Sequence, residues 1–429
     1  MRRKDIVTLL SEMPKPHRKL LAFNKIYYEM QKAFGFNAAN EFLIREWKGE
    51  TYLHDADTST FKSYCFSYDL QRLAEEGLYF LGETFNAKPP KHLTTFVDFV
   101  KEFINFASNR SSGAVGLANL IPYMYYFWKE DVKNDYLGIA SSNNADSYAY
   151  QNIQRFIYAV NQPCVRDGQQ SAFTNTSIFD RNYLEALFGG AEFPNGEFMI
   201  DHIDGIMDFQ KLYMKVMSDI RSENMMTFPV NSMSLIRKDG KFLDEESAEW
   251  MIRHNLKWSD SNLFIDKDVT SLSNCCRLKN DISQMGYFNS IGGTALRVGS
   301  IKVNTINLAR LALDTSSEEE YLEELRKRIL CIVRVLHVVR HIIKRNVEKG
   351  LLPNFTYDLI DFKSCYNTIG FIGIYETMKK FGYVQQDELG NNFYTEQGFS
   401  FGKRIFDVIQ EVIDEFSAQM KIDYKINRE

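Results

Sequence analysis

The feature that most constrains the fold of this chain is a repeated alternation of short strand patterns with longer helical patterns. Apolar residues recur at helical spacing over 148–160, 209–222 and 244–255, and strand-like segments at 174–180 and 226–231 lie between them. Long helices that connect short strands are typical of parallel sheets with crossover connections. The sequence therefore predicts an α/β fold.

The chain has no internal repeat and no linker rich in proline, glycine or serine, so we expect one continuous domain over residues 1–429. Within it, residues 1–50 are expected to form an N-terminal helical region, and residues 51–429 the strands and helices of the main fold. Of the 429 residues, 45% are hydrophobic and 25% are charged, which supplies a large buried core. These proportions exclude a disordered or disulfide-stapled protein.

Charge and hydropathy argue against binding to nucleic acid and against insertion into a membrane. The net charge of −5 argues against a broadly basic surface, so nucleic acid is not an expected partner. The N-terminus has no apolar stretch of signal-peptide length. The most apolar segment, 329–343, carries Arg334, His337 and Arg340, and it predicts a buried amphipathic helix instead of a membrane span. We expect a cytoplasmic location, which is the host cytoplasm if a phage encodes the chain.

The six cysteines are not arranged as metal ligands. None of them stands in the C-x-x-C spacing that binds zinc or an iron–sulfur cluster, so no metal site is expected in this chain. Cys331 lies in a helical apolar run, where a cysteine is usually a small buried side chain. The adjacent pair Cys275-Cys276 lies in a polar segment and fits that explanation less well, which makes it a candidate for chemistry.

A glycine-dense segment follows the cysteine pair, at 286–294. Its backbone N–H groups could hold a phosphate, but neither G-x-x-x-x-G-K-[ST] nor G-x-G-x-x-G occurs there. A surface hairpin or a tight turn explains these glycines about as well.

Several motifs follow one another over most of the chain. They are Tyr52-Leu53-His54-Asp55, Tyr64-Cys65, Ser108-Asn109-Arg110, Gly113-Ala114-Val115-Gly116, Asn161-Gln162-Pro163, Gln170-Ser171-Ala172-Phe173-Thr174-Asn175, Thr227-Phe228-Pro229-Val230, Cys275-Cys276-Arg277-Leu278, Gly299-Ser300 and Ile369-Gly370-Phe371-Ile372-Gly373 with Glu376. In this order and spacing they resemble the catalytic subunit of anaerobic, class III ribonucleotide reductase, one of the glycyl radical enzymes. No single motif is decisive, and the resemblance depends on their order.

The resemblance implies a barrel of ten β-strands with helices outside and a cysteine-bearing loop through its centre, here incomplete at the C-terminal end. Cys276 then matches the cysteine that becomes a thiyl radical, with Cys275 as the alternative. Sulfur is needed because an S–H bond is weak enough to yield its hydrogen to a glycyl radical, while the sulfur radical can still take hydrogen from ribose C3′. The O–H bond of a serine is too strong for this exchange.

Cys65 matches the second cysteine of the family, which donates a hydrogen atom to C2′ from the opposite face of the ribose. The resemblance implies formate or a small dithiol protein as the reductant, depending on the branch of the family. Ser300 stands where formate-dependent members have an asparagine, which puts formate in doubt. Asn289 or Asn304 could replace that asparagine.

Polar residues of the same motifs are candidates for substrate binding. His54 with its neighbour Asp55 could polarise a substrate hydroxyl or exchange a proton, or could belong to a loop held by its own hydrogen bonds. A guanidinium suits either a carboxylate or a triphosphate, and for Arg166 and Arg277 pairing with carboxylates is the preferred of the two interpretations. The further candidates for contacts with substrate are Asn109, Asn175, Ser177 and Ser300.

Two parts of the family pattern are not matched in this sequence. The matched region begins too early to leave room for an ATP-cone, so overall-activity control by ATP and dATP is not expected. The zinc-binding cysteine quartet and the R-V-x-G-[FY] loop of the glycyl radical are also not matched. The main hypothesis is therefore the larger piece of a split enzyme, which binds no cofactor itself. A C-terminal polypeptide would complete it with the glycyl radical and a structural zinc.

The resemblance also implies several other partners. They are an iron–sulfur/S-adenosylmethionine activase, ribonucleoside triphosphates, nucleotide effectors and a second copy in a homodimer. Two other hypotheses stay open: a nucleotide-binding or regulatory paralogue with idle cysteines, and another glycyl radical enzyme such as a formate-lyase. The Tyr64-Cys65 and Asn161-Gln162-Pro163 segments count against the last.

Overall fold

The computed structural model describes residues 13–81, 87–163, 165–166, 170–269, 271–273, 279–281, 296–422 and 426–428. The chain divides into two compact units. The first unit comprises residues 1–64, 300–352 and 365–429, and the second comprises 65–299 and 353–364.

Helices and strands alternate along the described residues. The helices are α1 (Lys15–Phe34), α2 (Phe36–Trp47), α3 (Gln71–Glu76), α4 (Leu93–Arg110), α5 (Leu120–Lys133), α6 (Ala145–Val160), α7 (Arg181–Phe188), α8 (Ile203–Glu223), α9 (Glu245–Trp258), α10 (Leu308–Leu313), α11 (Glu318–Glu348), α12 (Pro353–Thr356), α13 (Ile374–Lys380) and α14 (Glu396–Met420). The strands are β1 (Thr51–Leu53), β2 (Cys65–Ser67), β3 (Val115–Leu117), β4 (Thr174–Phe179), β5 (Val230–Lys238), β6 (Lys241–Phe242), β7 (Ser261–Asp266), β8 (Ser271–Ser273), β9 (Lys279–Asp281), β10 (Val298–Asn307), β11 (Tyr366–Ile372), β12 (Val384–Gln386), β13 (Asn392–Tyr394) and β14 (Ile426–Arg428).

The second unit is built on a parallel β-sheet. Its strands pair in the order β2, β3, β4, β5 and β7, and each of these pairs is parallel. Parallel strands need a crossover between them, and α4 supplies it between β2 and β3, α5 and α6 between β3 and β4, and α8 between β4 and β5. Strands β2, β3 and β4 are buried at every residue, as expected for a sheet covered on both faces.

The first unit has its own strands and a large helical core. Strand β10 pairs antiparallel with β1 and parallel with β11, and β11 pairs parallel with β14. Apolar side chains of β10, β11, α10, α11 and α14 form one buried cluster. This cluster includes Ile306, Ile329, Ile369 and Ile409.

Local sequence explains where several helices begin. A side-chain oxygen at the position before the helix accepts a hydrogen bond from one of the first backbone N–H groups, which would otherwise have no partner. Asp180, Asp244, Ser317 and Thr395 do this for α7, α9, α11 and α14.

The apolar segment at 329–343 lies inside α11, a helix of 31 residues. It buries Ile329, Ile332, Leu336 and Ile343 and packs against α14. The prediction of a buried amphipathic helix is confirmed. In the part of the chain that the structure describes, no helix is long and apolar enough to cross a membrane.

The α/β class is confirmed, and most of the predicted elements are found. The strand expected at 226–231 begins only at Val230, because Pro229 has no N–H to donate to a neighbouring strand. The pairings of the described strands do not establish a closed barrel of ten strands. The cysteine loop with Cys275 and Cys276 lies outside the described residues, and the expectation of one continuous domain stays a prediction.

A close backbone approach in the second unit gives a test of this fold. A Cβ atom on Gly299 would lie 2.0 Å from the carbonyl oxygen of Cys65 and 2.9 Å from the Cα of Phe66. Since backbone atoms cannot move aside as a side-chain tip can, we expect Gly299→Ala to lower the free energy of unfolding by at least about 2 kcal/mol. Urea unfolding followed by circular dichroism measures this change.

The matched control is Gly402→Ala in α14. The nearest atom to its new Cβ would be the flexible Cε of Met378 at 3.3 Å, and alanine favours a helix by about 1 kcal/mol over glycine. We expect no loss of stability there. Equal unfolding midpoints for Gly299→Ala and the parent chain would contradict the packing described.

Candidate active site

Cys65 is the first residue of β2, and its thiol contacts the neighbouring strand. The residue is 5% exposed, and Sγ accepts a hydrogen bond from the N–H of Ala114 at 3.1 Å. The carbonyl oxygen of Ala114 in turn accepts the N–H of Phe66 at 3.1 Å. The thiol is therefore held where β2 and β3 begin.

The sheet that starts at Cys65 has two contrasting faces. Side chains alternate between the faces along a strand, and residues paired in register share a face. One face carries Phe66, Val115, Leu117, Thr174, Thr176, Ile178, Asn231, Met233 and Leu235. The hydroxyl oxygen of Thr176 lies 3.4 Å from that of Tyr213 on α8, which places this largely apolar face against the helices.

The opposite face is lined by small and polar side chains, and we call it the small polar face. It consists of Cys65, Ser67, Gly116, Asn175, Ser177, Ser232 and Ser234. Val230 and Phe179 complete it at two strand ends. The structure thus brings three of the predicted site residues, Cys65, Asn175 and Ser177, onto one surface.

Hydrogen bonds on the small polar face are only partly satisfied. Asn175 donates from Nδ2 to the carbonyl oxygen of Val230 at 2.9 Å and to Oγ of Ser232 at 3.1 Å. The hydroxyls of Ser67 and Ser234 are buried, and among the described residues neither has a hydrogen-bond partner. A buried hydroxyl without a partner costs about 1–3 kcal/mol, so a polar ligand on this face would gain by pairing with them.

Sequence reasoning missed Ser67, Ser232 and Ser234. Central strands of a parallel sheet are usually apolar on both sides, but 231–235 alternates a small polar residue with a larger one. That alternation was the available signal. The small side chains of this segment form a continuous surface with Asn175 and Ser177 only through the register of the paired strands.

Asn109 lies elsewhere in the second unit. It is in the last turn of α4, and its Nδ2 donates to the carbonyl oxygens of Asn105 at 2.7 Å and Val165 at 2.9 Å. These contacts hold the end of the helix against the segment that follows α6. The structure does not place Asn109 on the small polar face.

Acidic residues at the carboxyl ends of β2 and β4 have structural roles. Asp69 accepts hydrogen bonds from Gln71 N–H at 2.9 Å and from Asn119 Nδ2 at 2.7 Å. Asp180 accepts from the N–H groups of Tyr183 and Ile236. Burial raises the pKa of both carboxyls, and these contacts with N–H groups oppose that rise.

His54 lies in the first unit, directly after β1. Its Nε2 is 2.8 Å from Oγ1 of Thr305, its backbone N–H donates to Val303, and the rings of Tyr52 and Tyr64 lie against it edge-on. His54 is therefore held against β10 by hydrogen bonds, and both interpretations of this residue stay predictions.

Buried polar side chains of β10 lie in the same unit as His54. Ser300 shares a hydrogen bond with Oγ1 of Thr368 at 2.9 Å. The fully buried Lys302 donates from Nζ to the carbonyl oxygen of Asp55 at 3.1 Å. Asn304, one of the two alternatives to Ser300, is 1% exposed and its Oδ1 has no hydrogen-bond partner among the described residues.

Of the other cysteines, the structure describes Cys331 and Cys365, and both are buried in the first unit. Cys275 and Cys276, the predicted radical cysteines, lie outside the described residues, as does Asn289. Cys331 is buried, as the sequence predicted, and burial raises the pKa of its thiol to about 12. In the described part of the chain, no three His, Cys, Asp or Glu side chains are grouped so as to hold a metal ion.

A cavity of about 750 Å³ in the first unit lies apart from the predicted site residues. Arg45, Glu50 and Arg328 are its most buried charged lining residues, and Glu324 and Asp314 pair with the two arginines. This ion-pair network joins α2 and α11 to the residues just before β1 and just after α10. It holds elements together and contains none of the residues that the motifs singled out.

The chain is similar to a known protein family and to several solved structures. The family described as anaerobic ribonucleoside-triphosphate reductase matches residues 15–428. A structure of the anaerobic ribonucleotide reductase from Thermotoga maritima with dATP in its specificity site is 38% identical, with a TM-score of 0.84. The match covers 97% of this chain and 68% of that one.

Two further structures are similar to the same extent. The Thermotoga maritima enzyme in complex with dATP and CTP is 38% identical over 96% of this chain and 68% of that chain, with a TM-score of 0.83. Another anaerobic ribonucleotide reductase is 36% identical over 99% of this chain and 66% of that chain, with a TM-score of 0.84. No curated protein matches the chain. The family match over nearly the whole sequence and the identity to these structures show that the chain belongs to the anaerobic ribonucleoside-triphosphate reductases.

Proposed function

We propose that this chain binds a ribonucleoside triphosphate on the small polar face and reduces its ribose to 2′-deoxyribose by thiyl radical chemistry. The family is an oxidoreductase family that reduces ribonucleotides. The observation that carries the proposal is a buried thiol, Cys65, at the edge of a face whose buried hydroxyls lack partners among the described residues. Ribose hydroxyls have the donors and acceptors that such a face requires.

In the proposed reaction Cys65 and Cys276 have different tasks. Cys276, or its neighbour Cys275, gives its sulfur hydrogen to a glycyl radical, and the resulting sulfur radical takes the hydrogen from ribose C3′. Cys65 gives its sulfur hydrogen to C2′ after the 2′-hydroxyl has left with a proton as water. Two electrons and a proton, supplied by the reductant and the solvent, restore the thiol of Cys65 and the radical at C3′, and Cys276 returns the hydrogen to C3′. The Ala114 amide and the short strand β2 hold the sulfur of Cys65 in a fixed position, as such a transfer requires.

Further residues are proposed to bind the substrate. Asn175, Ser177 and Ser232 offer amide and hydroxyl groups on the same face as Cys65. His54 would polarise a substrate hydroxyl, and Asn109 and Ser300 stay candidates for polar contacts, although both already bond to protein atoms. The proposal also includes a single catalytic domain. In it, a completed barrel of ten strands surrounds the cysteine loop.

The proposal includes partners that the reaction needs. A polypeptide segment with the glycyl radical and a structural zinc would supply the radical, after generation by an iron–sulfur/S-adenosylmethionine activase. Formate or a dithiol protein would supply the electrons. Nucleotide effectors and a second copy of the chain are proposed by similarity to the relatives, whose structures hold dATP and CTP. The proposed location is the cytoplasm.

The test of the function is a reconstitution under strict anaerobiosis. The chain is combined with a glycyl radical polypeptide of the family and its activase, and electron paramagnetic resonance follows the glycyl radical. Deoxynucleotide formation is assayed with formate and, separately, with a reduced dithiol protein. Radical formation without any deoxynucleotide in either arm would contradict the proposal.

Substitution of Cys65 and Cys276 tests their proposed roles in hydrogen transfer directly. We expect Cys65→Ser and Cys276→Ser each to lower deoxynucleotide formation roughly a thousandfold or more, because an O–H bond cannot exchange hydrogen with these carbon centres. Cys331→Ala is the matched control, since that thiol is buried on α11 of the first unit. Full deoxynucleotide formation in either cysteine variant would contradict these roles. A parent chain that forms no deoxynucleotide, with its biological activity unchanged by Cys276→Ser, would instead favour the regulatory paralogue.

The small polar face predicts different outcomes for neighbouring residues of β4. Ser177→Ala removes a hydroxyl from this face, and we expect KM for the ribonucleotide to rise about tenfold, equal to the loss of one hydrogen bond. Thr176→Val changes the opposite face, where Oγ1 donates to Asn231 at 2.7 Å, so stability should fall while KM stays the same. Steady-state kinetics of both variants distinguish the faces, and a rise in KM for Thr176→Val alone would contradict the assignment.

A further inference from the structure

Arg166 is a buried cation of the second unit whose contacts are to backbone carbonyls. The residue is 5% exposed, and it donates from Nη1 to the oxygen of Gly113 at 3.3 Å and from Nη2 to the oxygen of Ser111 at 3.4 Å. The carboxylate partner expected from the sequence is not found among the described residues. Burial of a guanidinium is costly, so its contacts are expected to have a specific role.

The position of the guanidinium is itself well defined. The backbone of Arg166 exchanges two hydrogen bonds with Gln170, at 2.8 and 3.1 Å. The guanidinium lies 5.2 Å from the ring centre of Phe173, a favourable cation–π distance. The carbonyl oxygen of Phe173 accepts the N–H of Val115 at 2.7 Å, which joins this support to β3.

Arg166 contacts residues 111–113, and the next residue, Ala114, contacts the Cys65 thiol. Residues 111–113 connect the end of α4 to Ala114, and all of them are buried. The N–H of Ala114 is the group that donates to Sγ of Cys65 at 3.1 Å. A shift of the Ser111 and Gly113 carbonyls would therefore move the amide that contacts the sulfur.

We infer that Arg166 is a positioning residue for the Cys65 thiol, acting through the carbonyls of Ser111 and Gly113 and the amide of Ala114. The inference rests on the proposed function, in which Cys65 donates its sulfur hydrogen to the substrate. Because one lone pair of Sγ accepts the Ala114 amide, the S–H bond points away from that amide. A restricted S–H direction favours transfer to one carbon atom of a bound ribose.

The test uses the full chain with Arg166→Met, which keeps side-chain length and removes the charge and the donors. The S–H stretching band of Cys65 is isolated in Raman spectra by subtracting the spectrum of a matching Cys65→Ser chain. We expect the band to shift and broaden in Arg166→Met, since Sγ loses its fixed donor. Alkylation of Cys65 by iodoacetamide, followed by peptide mass spectrometry, should become about tenfold faster or more as the loop opens.

Arg221→Met is the matched control for a general loss of stability. Arg221 is also a largely buried arginine of the second unit, but its Nη2 donates to the carbonyl of Pro229 at 3.2 Å and it pairs with Asp260, so neither contact involves residues 111–114. An unchanged Cys65 band in Arg166→Met, or equal changes in Arg221→Met, would overturn the inference. If Arg166→Met does not fold, Arg166→Lys is measured in the same way, with a smaller shift expected and no shift overturning the inference.

These measurements need neither the radical partner nor a nucleotide. An unchanged band therefore refutes the positioning role while leaving the proposed function intact. A failed reconstitution, conversely, leaves the Raman and alkylation results interpretable for the thiol alone.

Discussion

The register of the parallel strands β2 to β5 is the constraint on which the rest of the candidate site depends. Hydrogen bonds between these strands align Ser67 with Gly116, Gly116 with Asn175, and Ser177 with Ser232. A shift of one residue in any pair would place these small polar side chains against the helices and apolar ones on the other face. The small polar face therefore exists only because every pair keeps this register.

The energetics of this face differ from those of an ordinary core. A buried parallel sheet normally carries apolar side chains on both faces, and their burial stabilises it. Here only the face next to α8 is largely apolar. The hydroxyls of Ser67 and Ser234 are buried but add no apolar surface, and they have no hydrogen-bond partner among the described residues. Buried hydroxyls without partners lower the stability of the fold, and such groups are typical of sites that bind a polar ligand.

Several contacts combine to hold Cys65. The strand β2 is only three residues long, so pairing alone gives it few hydrogen bonds. The Ala114 amide contacts the sulfur, and Gly299 allows backbone to approach the Cys65 carbonyl more closely than any side chain would permit. Cys331 shows the contrast, because burial on α11 raises the pKa of its thiol to about 12.

The amino-acid sequence by itself determined the α/β class, the long amphipathic helix α11 and the family, because these depend on local periodicity and on the order of short motifs. It also singled out Cys65, Asn175 and Ser177. It predicted a carboxylate partner for Arg166 that the described residues do not supply, and it grouped Asn109 with substrate contacts although that amide holds the end of α4. Only the tertiary structure decided which side chains share a face with Cys65, since residues more than a hundred positions apart are joined by strand pairing that no local pattern encodes.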